Sequence, residues 1–253
     1  MATLHRFFVD RPLTGGEVTL PRVAARQVAA VLRLRPGTPV VLFDGTGGEW
    51  SAQLLKVDAR AAIAQLLAYQ HPDREPEVAL TLCQSLLKGE KFEWVLQKGT
   101  ELGVTRFVPV LTQRVVVTGH QHQLATTRRE RWRKIVVEAA EQCGRTLVPP
   151  VAEPRTLAEA VAGPGPSILC WEGERERSFA AAWRGAVGDE CARATGVRVV
   201  IGPEGGFDPQ EVAAAVHTGA ATASLGRRIL RSETAALAAC TIALIAEAEY
   251  RSA

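Results

Sequence analysis

The sequence predicts an α/β protein: a domain with a parallel sheet, preceded by a smaller β-rich domain. From Val78 onward, short apolar runs alternate with helical stretches, a pattern typical of parallel strands covered by helices on both sides. Before that point short strand-like runs dominate. The polar segment HPDREPE (71–77) carries two prolines and indicates a linker. We therefore expect one domain over residues 1–72 and a second over residues 73–253.

The first domain is predicted to be rich in β-strands. The runs RFFVD and EVTL each have the short apolar pattern of a strand. The segment TPVVLFDGTGGEWSAQLLKV predicts a hairpin of two alternating strands joined by a turn at residues 44–48. Between these strands we expect one helix over about residues 21–34, ended by Arg35-Pro36-Gly37.

The second domain is predicted to contain strands that alternate with helices. The strand-like segments are, in order, VALTLCQSLL, TRFVPVLT, SILCW, VRVVI and ATASL. The segment EKFEWVLQKGTEL has a helical pattern, and Gly103 is placed to cap its end. Thr127 and Glu130 have capping-box spacing, which predicts a helix start ahead of RWRKIVVEAAEQC and a stop at Gly144.

Two further helices are expected near the end of the sequence. Asp208 as the cap, Pro209 at the first helical position and Glu211 predict a helix that Gly219 ends. The segment TAALAACTIALIAEAEY is apolar on nearly all faces, which predicts a buried helix and leaves a second subunit as one way to cover it. Ligands of parallel sheets bind at the carboxyl ends of strands, so the residues after VRVVI and ATASL define the first candidate site.

Composition favours a soluble protein with a sizeable core. The chain has 253 residues, 47% of them hydrophobic, and a mean hydropathy of +0.02. It has no uncharged apolar run of about eighteen residues, so no membrane-spanning helix is expected. Its first residues, MATLHRFFVDRP, lack the long apolar region of a signal peptide, and we expect a cytoplasmic protein.

Cysteine and histidine usage argues against a metal site or a disulfide framework. The five cysteines are scattered and none forms a C-x-x-C pair, so buried packing is the expected role. His120 and His122 offer two metal ligands, but no matching group follows nearby, which favours a solvated loop. No metal is predicted.

The basic residues are mostly arginine and fall into two segments. Of 30 basic residues 25 are arginines, a choice that suits nucleic acid but also follows from a codon preference for arginine. Residues 1–40 have a net charge of +4, and residues 113–134 have +5. Two basic segments on a nearly neutral chain indicate an anionic partner such as RNA, with two solvated faces as the alternative.

Several common nucleotide and hydrolase motifs are absent from the sequence. It contains no G-x-x-x-x-G-K-[ST], no G-x-G-x-x-G between a strand and a helix, and no G-x-S-x-G. ATP hydrolysis, dinucleotide redox chemistry and serine hydrolysis therefore lose support.

Two glycine-containing loops, each at a strand end, remain as the candidate site. They are residues 202–207, GPEGGF, and residues 225–235, LGRRILRSETA. Glycine allows a close backbone approach to a ligand, although a tight turn explains either loop alone. Pro203 has no N–H to donate and Glu204 would repel an anion, so the first loop suits a close-fitting ligand other than a polyphosphate.

Together the two loops strongly resemble those of the SPOUT-superfamily methyltransferases that modify N3 of a uridine in 16S ribosomal RNA, conventionally position 1498. The resemblance extends over nearly the whole chain. The start, RFFV, looks like the N-terminal RNA-binding domain of that family. The segments KGEKFEWVLQKGTELG, ERW and EAAEQCGR also resemble the family pattern.

The resemblance implies a fold and a cofactor. It implies a PUA-like β-barrel followed by an α/β SPOUT domain with a deep trefoil knot, working as a homodimer. S-adenosylmethionine is expected in the knotted loops, and its sulfonium cation suits a glycine loop that carries a carboxylate. The expected cofactor-binding residues are Ile201, Gly202, Pro203, Glu204, Gly205, Gly206, Leu225, Gly226, Ile229, Leu230 and Thr234.

The expected reaction is methyl transfer to 16S ribosomal RNA within an assembled small subunit. Arg231 is the predicted catalytic cation, while Glu204 and Glu233 are both candidate bases. The predicted RNA-binding residues are Arg6, Arg33, Arg35 and Arg145. Two other functions stay open at this stage: methylation of a ribose 2′-hydroxyl, and a non-catalytic RNA-binding assembly factor.

Overall fold

The computed structural model describes residues 4–58, 60–114, 123–188 and 190–251. The chain divides into two compact units, one of residues 1–75 with 140–148 and one of residues 76–139 with 149–253. The division into domains at residues 72 and 73 stays a prediction, and the two units are described separately. None of the described helices is both long enough and apolar enough to cross a membrane.

The first unit is built on a five-stranded sheet. Its strands are β1 (His5–Phe8), β2 (Glu17–Thr19), β3 (Pro39–Phe43), β4 (Glu49–Val57) and β5 (Ala62–Gln70). They lie in the order β1-β3-β4-β5-β2, with β1 parallel to β3 and the remaining pairs antiparallel. Helix α1 (Arg22–Arg26) continues as a π-helical turn (Gln27–Val31), and Val28 packs in the apolar core with Phe7 and Leu54.

The predicted hairpin of the first unit is confirmed, and the predicted helix is shorter than expected. Strands β3 and β4 pair antiparallel across the turn at residues 44–48. The helical segment ends at Val31 rather than Leu34, because Arg33 turns into the left-handed region with φ 53°. Strand β5 was not foreseen: it lies in an Ala/Leu/Gln-rich stretch, and alternate residues such as Ala62 and Ala64 are buried.

A network of ion pairs ties residues 140–148 to the strands of the first unit. Glu49, only 3% exposed, accepts hydrogen bonds from the guanidinium groups of Arg6 and Arg74. Arg6 also donates to the carbonyl oxygen of Arg145, at 3.0 Å. The buried Arg145 side chain in turn pairs with Glu75. Each buried charge of this network has an opposite partner, and removal of one partner would leave an uncompensated buried charge.

The second unit is built on the predicted parallel sheet. Its strands are β6 (Leu80–Ser85), β7 (Arg106–Leu111), β8 (Arg155–Thr156), β9 (Ser167–Cys170), β10 (Val197–Ile201) and β11 (Ala221–Ala223). All neighbouring pairs run parallel, in the order β11-β9-β10-β6-β7-β8. The helices are α2 (Lys91–Leu102), α3 (Gln123–Cys143), α4 (Leu157–Val161), α5 (Phe179–Val187), α6 (Glu190–Thr195), α7 (Pro209–His217) and α8 (Ser232–Arg251).

The central strand β10 is buried on both faces. Side chains alternate across a strand, and both Val199 and Val200 are fully buried. Val200 packs in a cluster with Leu157 of α4 and Val212 of α7, while helix α8 packs against β10 and β6. Helices therefore cover this strand on its two faces, which fixes the position of the loop that follows it.

Helix ends in the second unit mostly follow local sequence signals. Gly103 ends α2 in the left-handed conformation, with φ 107°. Asp208 caps α7 and forms a capping box with Glu211, as predicted. The predicted start of α3 at Thr127 is wrong, because the helix already runs from Gln123. Its first residues, QLATT, contain no helix breaker, so the helix extends past the capping-box pattern.

The loop that follows β9 is fixed by the carboxylate of Glu174. This carboxylate accepts hydrogen bonds from the backbone N–H groups of Glu176, at 2.7 Å, and Arg177, at 3.1 Å. It also accepts from Thr222 Oγ1 of the neighbouring strand β11, at 2.5 Å. The bond to Thr222 is the main reason why the pKa of Glu174 is lowered to about 2.

The start of β10 is held by one arginine. The guanidinium of Arg198 donates to the carbonyl oxygens of Gly163 (3.1 Å), Pro164 (2.6 Å) and Gly165 (2.6 Å), and to Ser167 Oγ (2.8 Å). The fixed fork of five N–H donors matches this set of acceptors, which a lysine could not serve.

Replacing Arg198 by Ala is expected to lower the free energy of unfolding by about 1–3 kcal/mol, since several carbonyl groups lose their donor. Arg198→Lys should recover only part of this loss. Urea denaturation of both variants measures the effect. Arg193→Ala, at an exposed arginine of α6, is the matched control and should change stability little. An Arg198→Ala midpoint equal to that of the parent protein would contradict the assignment.

Replacing Glu174 by Gln tests the loop after β9. Because its folded pKa is lowered from 4.5 to about 2, Glu174 contributes stability that is complete at neutral pH and is lost as the pH falls from 4.5 toward 2. The difference in urea midpoint between parent and Glu174→Gln should therefore be largest at pH 7 and shrink below pH 4.5. A difference that stays constant from pH 7 to pH 3 would show that the Glu174 charge is not responsible.

A candidate ligand cleft at the carboxyl edge of the parallel sheet

A cleft of about 570 Å³ lies at the carboxyl ends of the adjacent strands β11, β9 and β10. The loops that follow these three strands form most of its wall, which is the usual place for a ligand in a parallel sheet. The lining residues are Lys91, Cys170, Trp171, Glu172, Arg175, Ile201, Gly202, Pro203, Glu204, Gly205, Gly206, Phe207, Ser224, Leu225, Gly226, Arg227, Arg228, Ile229, Leu230, Arg231, Ser232 and Ala235.

The loop after β10, residues 202–207, depends on its glycines. The N–H of Gly206 donates to the carbonyl of Pro203, at 3.0 Å, which closes a tight turn. Gly206 has φ +69°, and a side chain there would overlap the carboxylate of Glu172. Phe207, 2% exposed, anchors the end of the loop in the core. The loop therefore presents bare backbone to the cleft.

Polar contacts hold this loop from the side of β7. Arg114, just after β7, donates to the carbonyl of Gly205, at 3.1 Å, and to Asp208 Oδ2, at 3.2 Å. The neighbouring backbone N–H of Gln113 donates to Glu211 Oε1, at 2.9 Å. The loop and the start of α7 are thus fixed to the same strand end.

Ser232 joins the two glycine loops. It lies at the start of α8, is 6% exposed, and donates its hydroxyl proton to the carbonyl of Gly202. The same hydroxyl accepts a hydrogen bond of 3.0 Å from Gln84 Nε2, a buried amide at the end of β6. Sequence reasoning missed this role of Ser232.

Glu204 fastens its loop to the start of α2. Its Oε1 accepts hydrogen bonds from the Lys88 N–H, at 3.2 Å, and from Lys91 Nζ, at 3.4 Å. Burial by itself raises the pKa of the Glu204 carboxyl, but these donors together with its own backbone N–H hold the pKa below its ordinary value. Lys91 also pairs with Glu233, at 3.6 Å, so two carboxylates share one lysine.

The loop after β11 carries a group of exposed cations. Leu225 and Leu230 are partly buried in the cleft wall, whereas Ile229 between them is 89% exposed. Arg227, Arg228 and Arg231 are exposed, as is Arg175 of the loop after β9. Within the described part of the chain, none of these four arginines pairs with a carboxylate. The cleft therefore has a positively charged mouth.

Cys170, at the end of β9, also lines the cleft. Burial raises the pKa of its thiol well above the ordinary value, so the thiol stays protonated at neutral pH. Thiolate chemistry at this position is therefore disfavoured. Across the described ranges, no group of three or more His, Cys, Asp or Glu side chains is placed to hold a metal, and His120 and His122 lie outside those ranges.

Nearly all residues that were predicted to bind the cofactor line the cleft. Thr234 is the exception: it is exposed on the first turn of α8 and does not line the cleft, and its role stays a prediction. Arg231 lines the cleft, as a catalytic cation must. Among the residues that sequence reasoning missed, Trp171 is the last residue of the predicted strand SILCW and Glu172 directly follows it, so the strand-end rule already pointed to them.

The four arginines that were predicted to bind RNA belong to the first unit. Arg33 and Arg35 are exposed, with side chains free to reach an anion. Arg6 and Arg145 are engaged with Glu49 and Glu75, as described above. Their contact with RNA stays a prediction, and the structure gives each of these two a stabilising role inside the unit.

Two protein-family models together match most of the chain. A family model described as the RNA methyltransferase domain matches residues 74–244. A second model, described as the RNA methyltransferase PUA domain, matches residues 28–67.

Relatives and solved structures agree with these matches. A ribosomal RNA small subunit methyltransferase E from Synechocystis is 38% identical over 222 residues, which cover 86% of this chain and 69% of that protein. The Bacillus subtilis protein of that name is 31% identical over 228 residues, covering 89% and 86%.

Among solved structures, the methyltransferase E from Neisseria gonorrhoeae bound to S-adenosyl methionine has a TM-score of 0.79 and 34% identity, covering 94% of this chain and 95% of that one. A Legionella pneumophila methyltransferase in complex with the same cofactor has a TM-score of 0.87 and 29% identity, covering 97% and 98%. This chain thus belongs to the RNA methyltransferase family that includes the ribosomal RNA small subunit methyltransferase E proteins.

Proposed function

We propose that this protein transfers a methyl group from S-adenosylmethionine to N3 of one uridine of 16S ribosomal RNA, conventionally position 1498. The observation that carries the proposal is the cleft at the carboxyl edge of the parallel sheet. Both glycine motifs converge there, in a chain that belongs to an RNA methyltransferase family. Two solved relatives hold S-adenosylmethionine, which supports the same cofactor for this cleft.

The residues of the cleft fit such a cofactor. Ile201, Leu225 and Leu230 offer apolar surface for the adenine ring, next to the aromatic ring of Trp171. The glycine backbone after β10 allows a close approach, because a side chain at Gly206 would already overlap a neighbour. When bound, S-adenosylmethionine would supply an electrophilic methyl group on a sulfonium.

Arg231 is the proposed catalytic cation. In the reaction N3 of the uracil loses its proton and bonds the methyl carbon, while the bond from that carbon to sulfur breaks. Negative charge spreads onto the uracil oxygens as the N3 proton leaves, and a fixed cation beside them lowers the barrier. Arg231 precedes the first residue of α8, so the positive end of the helix dipole adds to its charge.

Neither candidate base gains support from its surroundings. Glu204 is occupied by Lys88 and Lys91, and Glu233 pairs with Lys91 without lining the cleft. The proposal therefore assigns the proton of N3 to solvent at the cleft mouth. Of the two, Glu233 has an oxygen, Oε2, that is buried and has no hydrogen-bond partner among the described residues.

The cleft mouth suits a polyanion. Arg227 and Arg228 are exposed and unpaired beside the cleft, where phosphates flanking an exposed uridine would pass. Arg33 and Arg35 of the first unit are proposed to add further contacts to RNA phosphates. Arginine suits this task because its fork binds phosphate oxygens in pairs.

Further features rest on the family resemblance and belong to the proposal. They are a PUA-like barrel in the first unit, a trefoil knot in the second, a homodimer, and action in the cytoplasm on an assembled small subunit.

The direct test incubates the protein with methyl-labelled S-adenosylmethionine and small ribosomal subunits that lack the modification. A single label at N3 of one uridine is expected. A label on a ribose 2′-hydroxyl would replace the proposal by that of a ribose methyltransferase. No label, with cofactor binding measured separately, would favour a non-catalytic assembly factor.

Arg231→Ala is expected to lower kcat by about 10²–10³-fold while the affinity for S-adenosylmethionine changes little, since the lost cation acts on charge that develops in the reaction. Arg231→Lys should restore part of the rate. Single-turnover methylation and calorimetric binding separate the two effects. Arg184→Ala, at an exposed arginine of α5, is the matched control. Full turnover by Arg231→Ala would contradict the assignment of Arg231 as the catalytic cation.

The double variant Arg227→Ala/Arg228→Ala is expected to weaken RNA binding about tenfold or more. Each lost phosphate contact should also reduce the slope of log affinity against log salt by about one. Filter binding across a salt series measures both. An unchanged slope would show that these arginines do not contact phosphate.

A further inference from the structure

We propose that Glu172 recognises the cofactor, its carboxylate accepting hydrogen bonds from donor groups of the bound S-adenosylmethionine. The inference rests on the proposed function of the cleft and adds a cofactor-binding residue outside both glycine motifs. Glu172 is the second residue after β9, the strand between β11 and β10, and it lines the cleft. Its position at the carboxyl edge of a parallel sheet is one from which acidic side chains bind ligand hydroxyls.

The Glu172 carboxylate is available for a ligand. The residue is exposed, and within the described ranges its carboxylate forms neither an ion pair nor a hydrogen bond. An acceptor already in the cleft wall gains a strong, charge-assisted bond when a ligand donor replaces water there.

The backbone around Glu172 is fixed before any ligand arrives. The N–H of Glu174 donates to the carbonyl of Trp171, at 3.2 Å, so Glu172 stands at the corner of a closed turn. The N–H of Trp171 donates to Ala223 of β11, at 3.0 Å, and the bonds of the Glu174 carboxylate hold the far side of the turn. Because this backbone is already ordered, binding costs less conformational entropy.

The glycine loop leaves room for this carboxylate. Gly206 has φ +69°, and a Cβ on it would overlap Oε1 of Glu172. The Glu172 carboxylate therefore lies directly against the backbone of the loop after β10, on the wall where the cofactor is proposed to bind. Glycine is therefore required at position 206 for packing against Glu172 as well as for the positive φ.

The other carboxylates near the cleft have partners. Glu204 accepts from Lys88 and Lys91, and Glu233 shares Lys91 and does not line the cleft. Glu174 is saturated by three donors of its own loop and of β11. Of these four acids, only Glu172 both lines the cleft and has a carboxylate without a partner among the described residues.

The experiment measures the affinity of the full chain for three ligands by calorimetry. They are S-adenosylmethionine, S-adenosylhomocysteine, which lacks the sulfonium charge, and 5′-methylthioadenosine, which lacks the amino-acid part. Glu172→Ala should weaken S-adenosylmethionine roughly ten- to a hundredfold, as expected for the loss of a charge-assisted hydrogen bond. Glu172→Gln, which keeps the shape and one acceptor, should weaken it less.

The three ligands identify the donor group. Equal weakening of all three by Glu172→Ala assigns the carboxylate to a donor of the shared adenosine part, a ribose hydroxyl or the adenine amino group. Sparing of 5′-methylthioadenosine alone assigns it to the ammonium group. Either of these two results supports recognition of the cofactor by Glu172. Weakening of S-adenosylmethionine alone would indicate attraction to the sulfonium charge, which has no hydrogen to donate, and would overturn the assignment of Glu172 as a hydrogen-bond acceptor.

Glu176→Gln is the matched control, because it removes the same charge from an exposed residue of the same loop outside the cleft. Its affinities should equal those of the parent, and melting temperatures confirm that all variants fold. Unchanged affinity of Glu172→Ala for all three ligands would overturn the assignment and leave the proposed function intact. If the parent protein itself failed to bind S-adenosylmethionine, the assignment and the proposed function would fall together.

Discussion

The parallel pairing of β11, β9 and β10 is the constraint on which the candidate site depends. Cys170 at the end of β9 pairs in register with Ile201 of β10 on one side and with Ala223 of β11 on the other. Three strands therefore end in one row, and three loops leave the sheet at the same level. The cleft is the space that these loops enclose, so its residues come from distant parts of the sequence.

The charged side chains around the cleft divide into two groups. One group builds the walls: Lys91 binds Glu204 and Arg114 binds the carbonyl of Gly205, so that the loop after β10 is fixed from outside. The other group, with Glu172 and Arg231 as its clearest members, faces the cleft without a partner in the described chain. Partners within the protein neutralise the first group, and the second keeps its charge for ligands.

Sequence reasoning mostly succeeded where the signal is local, although the capping-box pattern at Thr127 misplaced the start of α3. The cap of α7 at Asp208 and the motif loops need only neighbouring residues, and both were placed correctly on their elements. It failed where distant chain segments decide. Strand β5 looks helical in composition and becomes a strand by pairing with β4. The hydrogen bond between Gln84 and Ser232 joins residues 148 positions apart, so no local sequence pattern predicts it.

The arrangement of charge in the cleft suits the two ligands of opposite charge that are proposed for it. Glu172 lies against the glycine loop, where a cationic cofactor is proposed to bind, whereas Arg227 and Arg228 stand exposed at the mouth, where RNA would arrive. Exposed arginines are hydrated and exert a screened field while the mouth is open. Docked RNA would exclude that water and lower the local dielectric constant, which strengthens the field of Arg231 on the uracil. In the proposed reaction the full effect of Arg231 would therefore depend on the presence of the RNA substrate.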